Sequence, residues 1–109
     1  SAARRAYAMA WNNACIHAHA LGQYALAAKI ADGAQAYADE NPHIHHSAAC
    51  AYAAVGQPDK ALAQVKAAID RDYEHIERME VDADLGELLH DPRFLALFSD
   101  WRGGRQDLN

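Results

Sequence analysis

The stretch Asn41–Asp72, NPHIHHSAACAYAAVGQPDKALAQVKAAIDRD, decides the fold. It reads as two helices joined by Gly56-Gln57-Pro58. In the first half Ala48, Ala49 and Tyr52 fall on one face at helical spacing. In the second, Ala61, Leu62, Val65, Ala68 and Ile69 do the same. Gly56 suits the left-handed residue that closes a helix, and Pro58 suits the first turn of the next. The small-residue stripe implies a core built by close helix approach rather than by bulky side chains. Ala is the strongest helix former and β-branched residues are scarce, so the expected class is all-α.

Working outward, the same unit recurs upstream. Arg4–Leu21 is expected to be helical, with Trp11, Ala14, Cys15 and Ala18 on one face. Gly22-Gln23 ends it, and Tyr24–Glu40 is the expected second helix, with Ala27, Ala31 and Ala34 inward. Asn41-Pro42 breaks the chain, and a third helix is expected over His43–Val55 and a fourth from Pro58 to about Arg71. The pair Gly22-Gln23 returns as Gly56-Gln57. At the same offset Ala14, Ala20, Ala27 and Ala34 meet Ala48, Ala54, Ala61 and Ala68. That offset, about 34 residues, is the period of a helix–turn–helix repeat.

Downstream the pattern changes. A short acidic helix is expected over Tyr73–Met79 and another near Asp84–Leu89. Asp91 caps a last helix with Pro92 in its first turn, running to about Trp101. Leu85, Leu88, Leu89, Phe94, Leu95, Leu97, Phe98 and Trp101 form the largest apolar cluster in the chain. They read as a cap over the end of the repeat, which would otherwise leave a face uncovered. The expected division is therefore 1–72 for two units (about 4–40 and 42–72), 73–102 for the cap, and 103–109 for a polar, frayed tail.

At this point the sequence resembles the tetratricopeptide repeat family. Unit one carries Trp11, Ala14-Cys15, Ala18, Gly22, Tyr24 and Ala27; unit two carries His45, Ala48-Ala49, Tyr52, Gly56, Pro58, Ala61 and Ala68. It departs where Ala18 replaces an aromatic, His45 a Trp and Pro58 a Tyr, and where the closing Pro is displaced to Pro42. The pattern DADLGELLHDPRFLALF resembles the tail that closes many bacterial arrays of this family. The resemblance implies a right-handed α-solenoid whose first helices line a concave groove. Carried onto this chain, the groove residues are Met9, Asn12, Ile16 and His19 from unit one and His43, His46, Cys50 and Ala53 from unit two. Each set follows i, i+3, i+7, i+10, one helical face.

Function classes narrow accordingly. With 10 basic and 15 acidic residues the net charge is -5, which argues against nucleic-acid binding. Nine acids lie between Asp70 and Asp91 against two Arg, read as a solvated face and caps. Cys15 and Cys50 form no CxxC and are expected as reduced, partly buried thiols, which fits a cytoplasmic setting; Cys50 is the better candidate for a reactive thiol. Residues 6–28 lack Asp, Glu, Lys and Arg, yet Asn12, Asn13, His17, His19 and Gln23 interrupt them, so a packed helix pair is expected rather than a membrane span. The chain opens Ser-Ala-Ala rather than Met, as a piece of a longer protein would. Seven histidines invite a metal, but no HExxH or finger spacing occurs, so no cofactor or metal is expected. His45 is expected to pack in place of Trp11's equivalent, and His17, His75 and His90 to lie on the surface. No nucleophile–base set or phosphate loop stands out, so the chain is not expected to be an enzyme. The expectation is a protein-interaction module that takes a partner peptide or helix into its groove. The alternative is an end-cap or homo-oligomerisation segment of a larger multidomain protein.

Overall fold

The computed structural model describes residues 1–107. These form α1 (Ala2–Ala20), α2 (Tyr24–Ala34), a 3-10 turn (Gln35–Tyr37), α3 (His43–Ala54), α4 (Pro58–Asp70), α5 (Ile76–Glu80), a 3-10 segment (Ala83–His90) and α6 (Pro92–Asp107). There is no strand among the described residues. The all-α expectation holds. No described helix is long and apolar enough to cross a membrane.

Three helices end in the same way. Gln23 N–H donates to Ala18 C=O at 2.9 Å, Gln57 to Tyr52 at 3.0 Å, and Tyr73 to Ala68 at 3.0 Å. Each such bond reaches back five residues across a left-handed residue, the Schellman arrangement. Gly22 (φ 76°) and Gly56 (φ 72°) supply that conformation in the first two turns. Asp72 (φ 56°) supplies it in the third, where no glycine signals it. The first two bonds stand 34 residues apart, the spacing of Gly22-Gln23 and Gly56-Gln57.

α3 is the central element. It packs against α1, α2, α4 and the 3-10 segment, and Ile44, His45, Ala48, Ala49, Cys50, Ala51 and Tyr52 are all buried. Alanines at the helix contacts let the axes approach: Ala27, Ala31, Ala48, Ala49, Ala61 and Ala68 are fully buried. The Tyr52 side chain passes between neighbours and its hydroxyl donates to Asp32 Oδ1 at 2.5 Å. Lys60 Nζ joins the same oxygen at 3.1 Å and sits over the Tyr52 ring. A smaller core forms around Ala8, Ala34, Ala38 and Ile44, closed by Trp11 and Tyr37. A Cβ at Gly33 would stand 2.5 Å from Trp11 Cη2, so glycine there makes room for the indole. In the C-terminal cluster Leu85, Leu88, Phe94 and Phe98 are buried and Leu89, Leu97 and Trp101 partly buried, whereas Leu95, expected among them, is exposed on α6. Asp91 Oδ1 accepts the Arg93 N–H at 2.8 Å, the expected cap ahead of Pro92.

Four boundaries differ from the sequence expectation. The second helix stops at Ala34 and tightens into the 3-10 turn, well before Asn41-Pro42. The acidic helix begins at Ile76 rather than Tyr73, which is buried beside α3. The 3-10 segment is kinked at Gly86 (φ 55°, ψ -128°), not a regular helix. Residues 103–107, expected as frayed tail, continue α6; residues 108 and 109 lie outside the described residues.

Candidate functional site

A groove of about 490 Å³ opens between α1, α3 and the segment from Tyr73 to Asp84. Its lining contains six of the eight residues expected there: Asn12, Ile16, His19, His43, His46 and Cys50. They come together because residues three and four apart on α1 and on α3 share a face, and the two helices pack side by side.

Two expected residues lie elsewhere. Met9 is 57 % exposed on α1 and outside the lining. Ala53 lines a separate crevice with Leu88 and Glu87, because the 3-10 segment covers that end of α3. Asn12 is in the groove wall but is buried, and its amide oxygen accepts the Ser47 hydroxyl at 2.7 Å. It is a strut between α1 and α3 as much as a groove ligand. Cys50 is only 7 % exposed, and burial pushes its thiol well above the ordinary value. That corrects the expectation of a reactive thiol. Cys15 is buried as expected, its thiol pushed up by burial to about 11.

The structure adds residues that the sequence did not single out for the groove: Ser47, Tyr73, Asp82 and Asp84, with Ala20 and Tyr24 at the α1–α2 turn. Tyr73 follows the left-handed Asp72 at the end of α4, where an apolar side chain commonly folds back onto the helix, but no glycine marks that turn in the sequence. Burial, with Glu74 next, pushes its hydroxyl up to about 12, so it is a neutral hydrogen-bonding group.

Tyr73 joins the groove histidines into one chain of contacts. Asp82 Oδ2 lies 2.7 Å from His46 Nε2, and His46 Nδ1 lies 3.0 Å from the Tyr73 hydroxyl. That hydroxyl lies 3.3 Å from His43 Nδ1, and His43 Nε2 lies 2.9 Å from Glu74 Oε1. His75, expected on the open surface, packs edge-on against both His43 and Tyr73. The chain therefore begins and ends on a carboxylate. At its two ends three candidate metal ligands come together, His46, Cys50 and Asp82 at one and His43, Glu74 and His75 at the other, with the ligand atoms of each set within 4.8 Å of one another.

His45, beside two groove histidines on α3, lies outside the groove. It is buried, and its Nδ1 meets Gln64 Oε1 at 2.8 Å. Gln64 Nε2 in turn donates to Gln35 Oε1 at 3.0 Å. His45 thus packs in the core, as its register with Trp11 implied, but through a polar relay rather than an indole.

Compared with protein-family models, with curated proteins and with solved structures, the chain finds no match.

Proposed function

We propose that this chain is a non-catalytic protein-interaction module of tetratricopeptide type. In this reading α1–α2 and α3–α4 are two successive units of a right-handed α-solenoid, α5 to α6 close its end, and the groove takes a segment of a partner protein. The favoured occupant is an extended peptide presenting a Lys or Arg side chain. The observation that carries this reading is the charge of the lining. No Lys or Arg lines the groove, Asp82 and Asp84 do, and Asp84 has no cation partner among the described residues. Ile16 and Tyr24, both partly exposed at the mouth, offer apolar contact beside that charge. A partner's C-terminal carboxylate would meet like charge there and no clamp.

Selection from a random peptide library tests it. Sequences carrying a basic residue are expected, and the double variant Ile16→Lys, Asp84→Lys is expected to lose them. Both side chains are outside the core, so the variant should keep its fold. Selected peptides that bind the double variant equally well would sink the reading.

A second reading is favoured by one further observation. Tyr7, Met9, Ile16, Leu21, Tyr24 and Leu26 are large apolar side chains left exposed on α1 and the start of α2. In that reading these side chains pack on another copy or on a preceding repeat, and the chain is an assembly element. Light scattering across a concentration series separates the two: self-association abolished by Tyr7→Ser and Leu26→Ser supports the second.

A further inference from the structure

We propose that His46, Cys50 and Asp82 bind one divalent cation of the zinc class at the floor of the groove, with the remaining coordination position open to it. The proposal stands apart from the peptide reading, since the site needs no partner.

His46 and Cys50 are four residues apart on α3, so their side chains rise from adjacent turns of one face. Asp82 arrives from outside the helix pairs and is fixed before any cation binds. Its Oδ1 accepts the Asp84 N–H at 2.9 Å, capping the 3-10 segment. That cap needs one oxygen only. The other, Oδ2, is aimed at 2.7 Å from His46 Nε2 and 3.8 Å from Cys50 Sγ. Around a tetrahedral zinc, oxygen and nitrogen ligands stand about 3.4 Å apart, and sulfur and oxygen about 3.6 Å. The Cys50–Asp82 spacing is already close to that. The His46–Asp82 spacing widens by about 0.7 Å once the proton between them is replaced by a larger cation. One imidazole, one sulfur and one carboxylate form a borderline-soft set that suits zinc and disfavours magnesium or calcium.

The surroundings match those of a ligating histidine, whose second ring nitrogen is normally held by an outer partner. Here His46 Nδ1 is held by Tyr73, which is held by His43, which is held by Glu74. With the cation on Nε2, the His46 proton sits on Nδ1, and the donors along the chain then point one way: His46 Nδ1–H to Tyr73, Tyr73 O–H to His43 Nδ1, and His43 Nε2–H to Glu74. On binding, the Cys50 S–H bond breaks, the proton leaves to solvent, and the thiolate and the Asp82 carboxylate balance the two charges of the ion.

The test uses untagged protein, stripped with a chelator and titrated with cobalt(II) as a spectroscopic probe for zinc. One equivalent should give a thiolate-to-cobalt charge-transfer band with the visible bands of a tetrahedral site, displaced by zinc. Cys50→Ser should abolish the charge-transfer band. Asp82→Asn, which keeps a capping side chain, should weaken binding at least tenfold, and Tyr73→Phe by about 10–100-fold. His75→Ala, which removes a ligand of the outer triad only, should leave the titration unchanged. If Cys50→Ser does not fold by circular dichroism, His46→Gln takes its place and should weaken cobalt binding at least tenfold. Absence of the band, its survival in Cys50→Ser, unchanged affinity in His46→Gln, or loss of the band in His75→Ala would overturn the proposal.

Discussion

Ile16 and Cys50 occupy the same register in successive helix pairs, yet Ile16 is 45 % exposed and Cys50 is 7 % exposed. Met9 and His43 repeat the contrast: Met9 stands in the open, while His43 is half-buried against Tyr73 and His75. The turns inside the two pairs are alike, down to the bonds that close α1 and α3. What differs is the cover. The segment from Tyr73 to Asp84 lies over the outer face of α3, and nothing among the described residues does the same for α1. Helical register thus decides which residues share a face, and a distant segment decides whether that face becomes a wall, a floor or an open surface.

The covered half of this comparison should be the fragile one. Phe98 is fully buried in the cap, so Phe98→Ala should cost about 3–5 kcal/mol in chemical denaturation. Ile16→Ala on the open face should stay within about 0.5 kcal/mol. A large loss at Ile16 would mean that α1 is covered in solution by another molecule.

The two pairs also solve one packing problem differently. Trp11 is accommodated by Gly33, whereas the equivalent positions in the second pair are His45 and Ala67. Gly33→Ala should therefore destabilise by about 1–3 kcal/mol through overpacking against the indole. Adding Trp11→His should recover part of that loss, a coupling that a double-mutant thermal melt reads directly. No recovery would mean that the glycine serves the α2 end rather than the indole.

Helix ends come next in size. Gly56→Ala puts a Cβ on a left-handed residue and should cost about 1 kcal/mol or slightly more. Asp72→Gly, at the third such turn, should stabilise by up to about 1 kcal/mol, since it relieves the same conformation. If both changes destabilise equally, the Asp72 side chain has a role beyond its backbone angle.

The smallest effect is a pH dependence carried by a contact between the two pairs. The Tyr52 hydroxyl, then Lys60, lowers the Asp32 pKa below its ordinary value. Stability from that pairing is present above the ordinary carboxylate range and is lost as pH falls through the lowered pKa. Burial, then Asp32, raises Tyr52. Its contribution is present below the ordinary tyrosine value and is lost as pH rises towards the raised one. Asp32 is half-exposed, so the acid arm should be small, a fraction of a kcal/mol. Tyr52→Phe should flatten both arms in urea melts run across pH; an unchanged profile would show that other groups carry them.

Much of this is legible in the residues. Trp11, Ala48, Tyr52, Phe94 and Phe98 read as core, because apolar residues at 3.6 spacing have few other uses. The same periodicity groups the groove histidines. It does not reach Tyr73, Asp82 and Asp84, which lie beyond α4, remote in sequence from the α3 positions they approach or stand beside. No local period links them. Along the chain their roles look purely structural, a helix start and a cap, and Asp82 does act as a cap with one of its two oxygens.

The sequence by itself determined the all-helical class and the two glycine turns that close α1 and α3, because propensity, glycine conformation and apolar spacing act over a few residues at a time. Tertiary structure alone decided that Tyr73 would stand between two histidines and that Asp82 would face His46 and Cys50. Those contacts join elements remote along the chain. They exist only because burial of the small-residue stripes and of Phe94 and Phe98 pulls the C-terminal segment over α3.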